Sequence, residues 1–184
     1  MIEQLISRVV KCLDEHSVPY MLIGGQALLL YGIVRSTRNI DITLGIDSDN
    51  YTEIVKVCEE LSLKILPKEP HKFADQTRTL PAEELNCHIR IDFIFSFSPY
   101  ERQAIERAQQ KTLGGYPANF ASSEDLIIFK MIAGRAVDIE DVKGILNAKA
   151  DSIDFDYIYK WLSDFANIPE YRDVAEQFRN LRNC

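Results

Sequence analysis

The first residues place Ile2, Leu5, Ile6, Val9, Val10 and Leu13 on one stripe at three- and four-residue spacing, which predicts an amphipathic helix. Pro19 ends the connection that follows, and the apolar run Tyr20–Ile23 predicts a short strand broken by Gly24-Gly25. Gln26–Tyr31 reads as a short helix, and Ile40–Leu44, alternating apolar and polar, as a second strand. Tyr51–Leu61 predicts a helix with Ile54, Val55, Cys58 and Leu61 on one face, and Ser62–Leu66 a third strand. Residues 67–86 are polar and carry Pro67, Pro70 and Pro81, so they read as a loop with one strand near Phe73–Leu80. Cys87–Phe97 is the clearest strand. Ile89, Ile91, Phe93 and Phe95 fall on one face, and His88, Arg90, Asp92, Ile94 and Ser96 on the other.

A helix is expected over Tyr100–Gln110 after Pro99, and Leu113-Gly114-Gly115-Tyr116 reads as a tight hairpin turn. From Ser122 the pattern is helical throughout. Ser122 or Ser123 is placed to cap a helix whose first turn holds Glu124 and Asp125. Two stripes follow, Ile139, Val142, Ile145 and Leu146, then Phe155, Ile158, Tyr159, Leu162 and Phe165, and a last helix spans about Glu170 to Leu181. An α/β first two-thirds, residues 1–121, thus passes into a helical subdomain, residues 122–184, expected to pack on one compact core.

Composition narrows the classes. The chain has 184 residues, 46% hydrophobic and 27% charged, which fits a globular protein and excludes disordered and collagen-like ones. No apolar run approaches the roughly 20 residues of a membrane helix. The N-terminal residues carry acids without a long apolar core, so no signal peptide is expected. Cys12, Cys58, Cys87 and Cys184 are far apart with no CxxC pair, which suggests free thiols in a reducing cytoplasm. Cys87-His88 offers only two adjacent ligands, too few for a zinc site. With 21 basic and 28 acidic side chains the net charge is −7, which argues against tight non-specific binding to nucleic acid but leaves room for a local basic site.

Three pieces carry candidate chemistry. Gly24-Gly25 lies in a strand-to-helix turn, where backbone can approach a phosphate; taken alone, such a pair is more often structural. Asn39 and Asp41 share a strand face, where two oxygen ligands could hold a hard divalent cation or simply meet water. Asp92 sits on a strand where an unpaired carboxylate is costly, and Arg90 on the same face offers a structural ion pair as the alternative to a metal.

Together these pieces resemble the signature of the DNA polymerase β-like nucleotidyltransferase superfamily: Ile23-Gly24-Gly25, a spacer, Asn39-Ile40-Asp41, and a third carboxylate, Asp92, on a later strand. Arg35-Ser36-Thr37-Arg38 resembles the block preceding the carboxylates in bacterial minimal nucleotidyltransferases. Ser123–Lys130, Ala133-Gly134-Arg135 and Asp138–Val142 resemble segments of the AbiEii-like toxin group. The resemblance covers roughly residues 1 to 165 and implies a mixed-sheet nucleotidyltransferase core flanked by helices. By that resemblance Gly24 and Gly25 cradle nucleotide phosphates, with Arg35, Thr37, Arg38 and Arg135 as further nucleotide contacts. Asn39, Asp41 and Asp92 form the metal set, normally for two Mg²⁺ ions that activate the acceptor and neutralise the triphosphate. Lys130 reaches a phosphate or the base, and Arg135, Asp138 and Asp141 either wall the cleft or form an ion-pair network between helices. Arg35 and Arg38 could equally sit in a solvated loop.

The departure is Asn39, an amide where the family has its first carboxylate. Three negative charges become two, which puts the second ion in doubt. Two functions follow. One is Mg²⁺-dependent transfer of a nucleoside monophosphate from an NTP to a hydroxyl of a protein, tRNA or small molecule, in a toxin–antitoxin or phage-defence setting with a cognate toxin or antitoxin partner. The other is a catalytically impaired nucleotide- or partner-binding regulator.

Overall fold

The computed structural model describes residues 1–34, 37, 39–149 and 152–182. It divides into two compact units, Met1–Gln26 with Ser36–Ala121, and Ala27–Arg35 with Ser122–Cys184.

The first unit holds the seven strands found among the described residues. Helix α1 (Ile2–Glu15) buries its whole apolar stripe: Leu5, Ile6, Val9, Val10 and Leu13, with Cys12. Strand β1 (Tyr20–Ile23) leads into α2 (Gly24–Leu29), so Gly24 and Gly25 lie inside the helix rather than before it. Then come β2 (Asn39–Leu44), α3 (Tyr51–Glu60), β3 (Lys64–Ile65), α4 (Pro70–Thr77), β4 (Thr79–Glu84), β5 (Ile89–Phe95), α5 (Pro99–Glu106), β6 (Gln109–Leu113) and β7 (Tyr116–Phe120). The strand order is β3-β4-β5-β2-β1-β7-β6. β1 runs antiparallel to β2, while β2 and β5, and β1 and β7, run parallel, so the sheet is mixed. Period two puts Ile40, Ile42, Ile91, Phe93 and Phe95 on one face, and all are buried.

Residues 67–86 differ from the sequence expectation. Instead of a strand near Phe73–Leu80, Pro70 opens α4 at its first position, where a missing N–H costs nothing. Only Ala74 of α4 is buried, so no apolar stripe announces this helix. Arg78, left-handed at φ 56, ends it, and β4 starts at Thr79. The helix after Ser98 stops at Glu106 because Gln109 and Gln110 join β6, paired with Phe120 and Asn119 of β7.

In the second unit α6 (Ser123–Ala133), α7 (Ala136–Lys149), α8 (Phe155–Phe165) and α9 (Val174–Arg182) pack with residues 27–34. The Ser122 hydroxyl accepts the Asp125 N–H at 3.1 Å as the cap of α6, and Gly134 at φ 64 closes its other end. Gly144 gives α7 room against Ile33: an added Cβ would lie 3.3 Å from its side chain. The last helix starts at Val174, four residues later than the sequence suggests, because Pro169–Tyr171 takes a 3₁₀ turn.

Candidate active site

The candidate site is built on the centre of the sheet. Asn39 pairs in register with Arg90, and Asp41 with Asp92, across the parallel β2–β5 ladder. Residues in register share a face, and residues two apart on a strand share it too. Asn39, Asp41, Arg90 and Asp92 therefore form the corners of one polar square, with neighbouring strands about 4.8 Å apart. Two carboxylates and one guanidinium leave it a net charge of −1.

Arg90 grips Asp92 with both its forks. Its Nε donates to Oδ1 at 2.8 Å and to Oδ2 at 3.0 Å, and a terminal nitrogen lies 2.7 Å from Oδ1. The Asp92 side chain is 12% exposed and that of Arg90 49%. The ion-pair alternative for Asp92 is thus realised in the structure, on a face that still opens to solvent.

Ile23 of β1 pairs with Asp41, which brings the next residue, Gly24, against the Asp41 side chain. A Cβ on Gly24 would collide with the Asp41 carboxylate, and its φ of 65 is one that L side chains rarely adopt. A Cβ on Gly25 would lie 2.7 Å from the Thr37 side chain. Each glycine therefore makes room for a neighbouring polar side chain at the site. The Thr37 hydroxyl in turn donates to the Asn39 carbonyl at 3.3 Å. Arg35 and Arg38 lie outside the described residues.

An open cavity of about 320 Å³ covers Asp41, Arg90 and Asp92 and is completed by Phe73, Thr77, Thr79 and Ile94. That is the lower end of small-molecule pockets. Phe73 and Thr77 come from α4 and escape a sequence reading that takes their segment for a strand. Pro70 at the first helical position is the signal that could have found them.

The second group of candidates lies in the helical unit. The Lys130 ammonium is 2.6 Å from Asp141 Oδ2 and 3.3 Å from Asp138 Oδ1. Arg135 donates to Asp138 through Nε at 2.6 Å and a terminal nitrogen at 3.1 Å. Lys130, Asp138 and Asp141 are buried, whereas the Arg135 side chain is 70% exposed. Burial alone would raise the Asp138 carboxyl; the hydrogen bond from Arg135 and the charges of Lys130 and Arg135 outweigh it and hold it below its ordinary value. Asp125 works in the same way between α6 and α8: it accepts from Ser122 at 2.6 Å and from the Tyr157 hydroxyl at 2.8 Å. Glu124 accepts the Asp154 N–H at 3.0 Å.

A family model described as "Nucleotidyltransferase of unknown function (DUF6036)" matches residues 1–182. The chain belongs to this family. No curated protein matches the sequence of this nucleotidyltransferase family member. Solved structures share its fold. ANT(2'')-Ia in complex with adenylyl-2''-tobramycin is similar at 16% identity over 97% of each chain, with a TM-score of 0.57. The lincosamide antibiotic adenylyltransferase LnuA, lincomycin-bound, is similar at 16% identity over 76% of this chain and 93% of its own, with a TM-score of 0.52. An antigenic nucleotidyltransferase-like protein from Paracoccidioides brasiliensis is similar at 15% identity over 95% of this chain and 91% of its own, with a TM-score of 0.54. Among the described residues, no helix is long and apolar enough to cross a membrane.

Proposed function

We propose that this nucleotidyltransferase-family protein transfers a nucleoside monophosphate from an NTP to a hydroxyl acceptor, with Asp41 and Asp92 at the centre of the site. The observation that carries the reading is their in-register placement on parallel strands, with the Gly24 backbone against Asp41. The donor set, two carboxylates and the Asn39 amide oxygen, is hard-oxygen chemistry that suits one Mg²⁺. When bound, that ion would supply Lewis-acid neutralisation of phosphate charge. Gly24 and Gly25 keep the backbone clear of side chains at the phosphate end. Arg90 supplies a fixed positive charge within the square, and Thr37 holds the chain entering β2.

Exposure separates the two cationic groups. The Arg90 end of its pair with Asp92 is half exposed under the open cavity, so a triphosphate or cation can reach and displace it. Lys130 is buried between two carboxylates, and breaking such a pair costs about 3–5 kcal/mol. We therefore assign Arg90 to the nucleotide, and Lys130, Asp138 and Asp141 to the joint between helices. The AbiEii-like grouping, and with it a toxin–antitoxin or phage-defence setting, rests on segment 123–142. Its polar residues have structural work in α6–α8, so they lend that setting little support. The adenylyl-2''-tobramycin held by one fold relative and the lincomycin bound to another favour a small-molecule hydroxyl as acceptor.

The test is calorimetry with ATP, GTP, CTP and UTP, with and without Mg²⁺, on wild type and Asp92→Ala. Mg²⁺-dependent binding that disappears in Asp92→Ala supports the reading; no binding of any nucleotide by wild type sinks it. One observation favours a second reading, a nucleotide-binding protein without turnover: Asn39 and the Arg90–Asp92 pair leave the square with one net negative charge. A wild type that binds NTP but yields no labelled product, and gains transfer with Asn39→Asp, decides for it.

A further inference from the structure

We propose that Cys12, His16 and Glu60 form a binding site for a borderline-soft divalent cation of the zinc class, pinning the end of α1 to the end of α3. The site is separate from the sheet-centre carboxylates and does not depend on the transfer reading.

The placement follows from helix geometry. Cys12 and His16 are four residues apart at the end of α1, so they share a face. Glu60 is the last residue of α3. One ligand atom from each lies within 4.8 Å of the other two. His16 Nε2 and Glu60 Oε2 are already 3.1 Å apart. A tetrahedral zinc with bonds of about 2.0–2.3 Å holds its ligand atoms about 3.3–3.8 Å apart, so closure needs movements under ~1 Å. The His16 and Glu60 side chains are 22% and 55% exposed, so they have room to make them. Cys12 supplies a buried sulfur on the inner side.

The donor set selects the ion. A thiolate and an imidazole favour zinc-class cations over Mg²⁺, while Asp41 and Asp92 have the opposite preference. Three protein ligands with the outer side open leave a fourth position for water. Without a cation, burial, and then the nearby Glu60 carboxylate, push the Cys12 thiol up to about 11. The bland alternative is this local network alone, with no affinity for metal.

The test uses Co²⁺ as a spectroscopic stand-in, on the full chain, followed by Zn²⁺ competition against a chromophoric chelator. The expected result is a thiolate-to-cobalt charge-transfer band in the near ultraviolet, lost in Cys12→Ser and retained in Cys87→Ser. Because loss of even an outer partner weakens metal sites roughly 10–100-fold, His16→Ala should weaken Zn²⁺ binding by at least ~100-fold. His16 is partly exposed, so that variant reports on the ligand even if Cys12→Ser folds poorly. A missing band, a band that survives Cys12→Ser, or one that disappears with Cys87→Ser overturns the proposal. An Asp92→Asn background keeps any cobalt at the sheet-centre site out of the readout.

Discussion

At position 39 an amide stands where the nucleotidyltransferase signature that this segment resembles has a carboxylate, and its partner across the ladder is the guanidinium of Arg90. The two residues act on the same quantity, the charge available to a cation. Ligand charge tunes divalent affinity over orders of magnitude, so Asn39→Asp should tighten Mg²⁺ or Mn²⁺ binding roughly tenfold or more. Mn²⁺ titration followed by electron paramagnetic resonance checks it, and an unchanged affinity would mean that position 39 does not face the ion. Arg90→Met should act in the same direction, because it frees both Asp92 oxygens now held at 2.8 and 3.0 Å. If Arg90 also serves the nucleotide, that variant will bind Mn²⁺ more tightly and the triphosphate more weakly. Gly24→Ala tests the close approach. A left-handed non-glycine residue costs about 1–2 kcal/mol, and the added methyl must push the Asp41 carboxylate aside. Chemical denaturation should show that loss of stability, and calorimetry the loss of Mg²⁺-dependent nucleotide binding.

Among the elements, those with a clean period were legible and those without one were not. β5 alternates apolar and polar from Ile89 to Phe93, and so the face of Asp92 could be read directly. Asn39 and Asp41 were legible on β2 for the same reason. The cross-strand register was not, because nothing local says that Asn39 meets Arg90 rather than Asp92. α4 was hidden by its solvent-facing character, and with it went Phe73 and Thr77. In α6 and α7 the polar residues Lys130, Asp138 and Asp141 were visible as a motif, but a motif does not distinguish a ligand contact from a helix joint. The buried distances favour the joint. Lys130→Met should lower the stability of the helical unit by about 3–5 kcal/mol, since it removes the buried cation that lies between Asp138 and Asp141; a urea titration measures it. Acid should act through the same joint. Asp138 is held below its ordinary value near 3.8, so the unfolded chain takes up the proton first. Its stabilisation is complete above pH ~3.8 and is lost as pH falls through the lower folded value. The urea midpoint should therefore be indifferent to this group from pH 8 to 5 and drop below 4, with the slope reduced in Asp138→Asn.

On the scale of the whole molecule, charge bears on the acceptor. Net charge is −7 and the pI is near 5.0. A nucleic-acid acceptor must be held through several phosphates, each needing a Lys or Arg nearby, and the affinity then falls steeply with salt. Several described cations are already committed to carboxylates: Lys130 to Asp138 and Asp141, Arg90 to Asp92, Lys56 to Glu53 and Lys143 to Glu140. A triphosphate asks far less, since it needs only one small cavity with a single divalent cation and one guanidinium beside it. The expected result is that a labelled tRNA or RNA hairpin shows no saturable anisotropy change at micromolar protein and near-physiological salt, while NTP binding persists there. Tight, salt-sensitive RNA binding would instead move the acceptor from a small molecule to a nucleic acid. It would also require a basic surface that an overall negative chain assembles locally, and charge-reversal variants at Arg90 and Arg135 would show whether either belongs to it.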